Sequence, residues 1–225
     1  MYKKITHTIV EEHFDHPVGV EIADASNTGG EVPLMFRHLR PRAADIMSAD
    51  IFKSNILNAF LDMDAAMRDL VESELDGDPS NNDVILQNAI NTAAIPGQLL
   101  RPYYGYEFDF RTTSLFQGSS STMMYIWRNL FAGRDIAQAI NRQYEINFPN
   151  YAVFLNSYNN QWGIDQVKNL LDNWYGNWVE WARARKRNDA VAAATAESQN
   201  LAYVNQLSNA VSSGVIAQKP ELFTA

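Results

Sequence analysis

Residues 165–213 read DQVKNLLDNWYGNWVEWARARKRNDAVAAATAESQNLAYVNQLSNAVSS, and this stretch decides the fold class. Apolar side chains fall at Val167, Leu170, Leu171, Trp174, Trp178 and Trp181. They resume at 190–194, Leu201, Val204, Leu207 and Val211, with no proline before Pro220. Steps of three and four place such residues along one side of a helix. An unbroken helix over 165–213 would be about 73 Å long at 1.5 Å per residue. A globular chain of this length has a radius of gyration of only about 17 Å. The stretch is therefore either a projecting helix or a helix pair broken near Lys186–Ala190. Its second half, 188–218, is rich in Ala, Ser, Asn and Gln and almost uncharged. A surface of that kind suits packing against another copy better than solitary exposure to water.

Upstream, Ile46, Phe52, Ile56, Phe60, Met63, Met67, Leu70 and Leu75 predict an amphipathic helix over roughly 43–75, with Ser48–Asp50 as its weak point. Asp76-Gly77-Asp78-Pro79 stops it, since Gly suits the residue after a helix and Pro cannot continue one. A short helix over 83–94 is expected to end at Pro96-Gly97 for the same reason. Residues 97–118 show no helical period and read as an aromatic loop or short hairpin arm around Tyr103, Tyr104 and Tyr106. Helices follow at 121–132, at 135–147 (ended by Phe148-Pro149) and at 150–159.

The first forty residues differ. Thr6–Val10, Val18–Ile22 and Leu34–Phe36 are short β-prone pieces separated by Pro17, a turn cluster at Asn27–Gly30 and Pro33. The expected fold is mainly α: a helical bundle with an irregular N-terminal arm of short strands and a long C-terminal helix or helix pair. The expected organisation is an arm over 1–40, a helical body over 41–160, the long helix or pair over 161–213, and a tail over 214–225. That tail is expected to dock on a neighbour through Val215, Ile216, Leu222 and Phe223.

Composition narrows the function classes. The 225 residues include no Cys, so disulfides, thiolate metal sites and a Cys nucleophile are excluded. No stretch of about 18 apolar residues occurs, so no membrane span is expected. The two lysines near the N-terminus have no apolar run behind them, unlike a signal peptide. Cytoplasm or a virion is the expected location. The net charge of −8 is uneven: residues 1–80 carry 7 Lys/Arg against 15 Asp/Glu, while the remainder carries 11 of each. Residues 103–181 hold 19 of the 26 aromatics, including all five Trp.

Four groups of residues are candidates for chemistry. His7, Glu11, His13 and His16 belong to an N-terminal cluster with the ligand types of zinc, iron or manganese, but without the spacing of a defined site. Arg183, Arg185, Lys186 and Arg187 follow the tryptophans, and Arg37, Arg40 and Arg42 form a second basic patch. Cations beside aromatics suit either single-stranded nucleic acid or an acidic subunit surface. Trp174, Trp178 and Trp181 share one helix face and serve as core or interface. Carboxylates such as Glu107, Asp109, Asp135 and Glu145 are plentiful, but no catalytic motif or cofactor fingerprint selects among them. No cofactor is expected. The expected function is a non-enzymatic structural or assembly subunit forming homo-oligomers, such as a virion or coat-like particle protein. The alternatives are a nucleic-acid-packaging subunit and a small metal-dependent enzyme or ligand-binding protein.

Overall fold

A computed structural model of the chain describes residues 47–77 and 82–224. The expected arm over 1–40 lies outside the described residues. What is described is mainly α, and helices pack on helices around one core.

The first long helix, α1, covers Ala49–Asp76. It buries Phe52, Ile56, Phe60, Met63, Met67, Leu70 and Val71, which recur at the three- and four-residue steps that put one stripe inside. Gly77 ends it in the left-handed conformation at φ 68°, where a side chain would be strained. Met47–Ser48 just before α1 form a two-residue strand, β1.

The next helix overturns a local expectation. Asn82–Tyr104 is one helix, α2, and it runs through Pro96 and Pro102. The stop expected at Pro96-Gly97 fails because tertiary contacts outweigh the breaker residues. A proline withholds one N–H and leaves a carbonyl one turn earlier short of a partner. A side chain of the following helix serves an α2 carbonyl nearby: Gln117 Nε2 donates to Ile90 O at 3.1 Å. Gly97 is the point of closest approach. A Cβ there would lie 2.8 Å from Thr113 Oγ1 and 2.9 Å from the Asp109 carbonyl.

That following helix, α3, covers Tyr106–Phe131. The aromatic loop expected over 97–118 is therefore the end of α2 and the first half of α3, joined by Gly105 at φ 88°. The aromatics are distributed around the α3 axis: Phe108 is buried, whereas Tyr106 and Phe110 stack on each other outside at 6.3 Å. Their closeness in sequence hid the helical period.

Ala137–Arg142 (α4), a π-helical turn at Gln143–Asn147 and Phe148–Tyr158 (α5) run on without a break. Pro149 lies just past the π turn and does not end the run as expected; a π turn interrupts the regular ladder in which a proline N–H would be missed. Gln143, buried in the π turn, donates to Ser119 Oγ at 2.7 Å and anchors the turn on α3.

A 3-10 turn at Asn160–Trp162 leads into α6, Ile164–Lys186. The stretch 165–213 is a helix pair. It breaks at 187–189, where Asn188 takes a positive φ of 55° and the Asp189 side chain caps Ala192 N at 3.0 Å. The last helix, α7, covers Ala190–Gln218. Trp162 lies against it, donating to Val211 O at 3.1 Å.

The chain closes with a 3-10 turn at Pro220–Leu222 and a two-residue strand, β2, at Phe223–Thr224. β2 pairs in parallel with β1, Met47 opposite Phe223 and Ser48 opposite Thr224. Phe223 packs on Phe52 at 5.0 Å and stacks on Tyr103 at 5.5 Å. The tail expected on a neighbour thus docks on its own chain, because the hydrophobic slot it fills is formed by α1 and α2.

Candidate functional site

The tryptophan stripe of α6 faces inward. Trp174, Trp178 and Trp181 are 1%, 1% and 3% exposed, so they serve the core. Their polar edges converge on one acid. Trp174 Nε1 donates to Asp64 Oδ1 at 2.7 Å, and Trp178 Nε1 donates to the same oxygen at 3.1 Å. Asp64 is buried on α1, and burial pushes its carboxyl above the ordinary 3.8. The two indole donors and Arg68 oppose that shift, and Glu197 adds to it. Arg68 in turn pairs with Glu197 of α7 at 2.7 Å. The indoles of α6 are thus tied to α1 in the core, and Arg68, one turn further along α1, ties it to α7 nearer the surface.

The basic cluster at the end of α6 is largely occupied within the chain. Arg183 pairs with Glu180 one turn back. Arg185 donates to Glu72 Oε2 of α1 at 2.7 Å and lies 5.7 Å from the Trp181 ring centroid. That hydrogen bond raises the Arg185 pKa further; burial opposes the rise, and the nearby Glu72 charge adds to it. Lys186 Nζ donates to Leu130 O and satisfies a carbonyl at the end of α3. Arg187 is exposed and caps α6 through its backbone N–H. The cluster fastens the end of α6 to α1 and α3, with separate partners for Arg183, Arg185 and Lys186. Arg37, Arg40 and Arg42 lie outside the described residues, as do His7, Glu11, His13 and His16.

Carboxylates elsewhere have structural partners too. Glu107 pairs with Arg111 at 2.9 Å, Asp109 accepts from Thr113 at 3.1 Å, and Asp135 accepts from Ala137 N at 2.9 Å. Among the described residues, no three His, Asp or Glu side chains stand together as metal ligands. An enclosed cavity lined by Phe60, Phe116, Tyr151, Trp162, Leu171 and Leu207 has a volume of about 10 Å³. That is room for about one water.

Two outer helix faces remain as candidates. On α7, a shallow depression is bordered by Ala190, Val191, Ala194, Thr195, Ser198 and Gln199. Val191 is 79% exposed, and Leu201, further along, is 43% exposed. The low charge of this helix was visible in the sequence. On α3, Phe110 and Tyr125 are each 57% exposed. The reading of 97–118 as a loop concealed that face; the steps of 4, 4, 3 and 4 residues through Phe110, Ser114, Gly118, Ser121 and Tyr125 were the signal that could have found it. No helix among the described residues is long and apolar enough to cross a membrane. In comparisons with known proteins the chain matches no family model, no curated protein and no solved structure.

Proposed function

We propose that this chain is a non-enzymatic structural subunit that assembles with copies of itself. A virion or coat-like particle is the kind of assembly its composition favours. The observation that supports this reading most is the outer face of α7. The helix has 29 residues, or about 43 Å at 1.5 Å per residue. Its single formally charged residue, Glu197, is held by Arg68. Every exposed position along it, from Ala190 and Val191 through Leu201 and Asn205 to Gln218, is uncharged. A helix face that is permanently solvated normally carries charged residues. This one offers small side chains, which let a second helix approach closely, and amides, which can bond across the contact. Burial of Val191 and Leu201 between copies supplies the apolar part, at roughly 25 cal/mol per Å² removed from water.

The test is a double substitution, Val191→Glu with Leu201→Glu, which places charge on the face without touching the core. The expected result is loss of higher-mass species in light scattering, with the helical circular dichroism unchanged. An unaltered mass would reject the α7 face as the contact.

A further inference from the structure

The outer face of α3 carries a pattern that reads alike in both directions. Phe110 and Tyr125 mark its two ends, each 57% exposed. Between them the exposed positions are Arg111, which pairs with Glu107 of its own helix, and three small ones, Ser114, Gly118 and Ser121. The centre is open, since a Cβ on Gly118 would meet nothing within 4 Å. Beyond the rings stand opposite charges, Glu107 toward one end of the helix and Arg128 toward the other, with side chains 65% and 52% exposed. Phe110 lies as far before the Gln117–Gly118 bond as Tyr125 lies after it. The same holds for Ser114 and Ser121, and for Glu107 and Arg128.

We infer that a second copy of this chain docks on this face, α3 against α3 and antiparallel, about a twofold axis at the Gln117–Gly118 bond. Such an axis brings Phe110 of each copy to Tyr125 of the other, Ser114 to Ser121, and Glu107 to Arg128. Small residues at the centre allow the axes to approach to the lower end of the usual range, about 8 Å. The rings then fill the flanks, where the helices diverge. Arg128 is already anchored by Glu74 through bonds of 3.0 and 2.6 Å. A guanidinium has five N–H donors, so further ones remain for Glu107 of the other copy. A parallel arrangement would set Glu107 against Glu107 and Arg128 against Arg128, and like charges oppose it. The contact is isologous and closes on two copies. From Glu107 to Arg128 it runs about 32 Å on a helix about 10 Å wide. That footprint is well below the roughly 800 Å² per partner of a standard interface. The α3 contact therefore works beside a stronger one, and to that extent it rests on the self-assembly proposed above.

The chain has no cysteine, so single introduced thiols report the register directly. Disulfides require Cα atoms within about 7 Å. Under mild oxidation, Gly118→Cys is expected to give a covalent dimer of twice the 25.4 kDa chain. Ser114→Cys and Ser121→Cys are each expected to stay uncross-linked alone, and to cross-link when mixed. All three positions are exposed on a helix, and circular dichroism verifies that each variant folds. The pairing is overturned if Gly118→Cys gives no dimer, if either serine variant cross-links alone as well as Gly118→Cys does, or if the mixture fails. Any of these with a multimeric light-scattering mass overturns the α3 contact and leaves self-assembly standing. A monomeric mass overturns both.

Discussion

Trp174 on α6 donates its indole hydrogen to Oδ1 of Asp64 on α1 at 2.7 Å, inside the core. Two residues 110 positions apart thereby set the rotation of one helix against the other. Trp178 reaches the same oxygen at 3.1 Å, so a single acceptor serves both indoles. Asp64→Asn keeps a carbonyl oxygen at that place and removes a carboxyl that burial already disfavours in its charged form. Its stability in urea unfolding is expected within about 1 kcal/mol of the parent. Asp64→Ala strands both indoles and leaves a void, at a cost on the order of 3 kcal/mol. Equal stability of the alanine variant would show that the acceptor has no structural role.

Gly214 and Gly118 both lie within long helices, yet Ala is expected to act oppositely at the two. A Cβ on Gly214 would fall 2.3 Å from Trp162 Nε1. The ring is held there by its bond to Val211 O, so the overpacking cost of about 1–3 kcal/mol outweighs the ~1 kcal/mol that Ala gains over Gly in a helix. At Gly118 the space is open, and only the gain applies. Thermal unfolding should show Gly214→Ala below the parent and Gly118→Ala at or above it. The reverse order would contradict the packing at Trp162.

These two sites also show what could be read in the sequence. Trp174 and Trp178 sit four residues apart among evenly stepped apolar residues, so their helix and their shared face were legible. The break at 187–189 was legible as one of two outcomes, because a 73 Å helix does not fit the chain's size. The acceptor for their indoles was not, since nothing local marks Asp64 among the other acids of α1. Pro96 and Gly97 were misleading for a related reason. Their local signals are strong, and contacts from α3 that no short window contains override them. The basic cluster at 183–187 was visible, but its partners Glu72 and Leu130 are brought in by folding. Of the two outer faces, that of α7 announced itself by lack of charge, while that of α3 was hidden in a supposed loop.

Alkaline pH is expected to destabilise the fold before it reaches the arginines. Burial raises Tyr104 and Tyr144 from the ordinary 10.0 to about 12, and it raises Tyr151 and Tyr175 further. The folded chain therefore binds more protons than the unfolded chain above pH 10. Stability from these hydroxyls is complete below about 10 and is lost as pH rises through the folded values. Tyr104 also ties α2 to the end of α7, donating to Gln218 Oε1 at 2.8 Å and accepting from Asn159 Nδ2 at 2.9 Å. The melting temperature followed from pH 8 to 12 should hold steady to about 10 and then fall. A flat profile to pH 12 would contradict burial of these rings.

Self-assembly is the central claim, and the mass of the unmodified chain in solution tests it most directly. Multi-angle light scattering at micromolar concentration is expected to give a multiple of 25.4 kDa. A single species at 25.4 kDa across that range would contradict it.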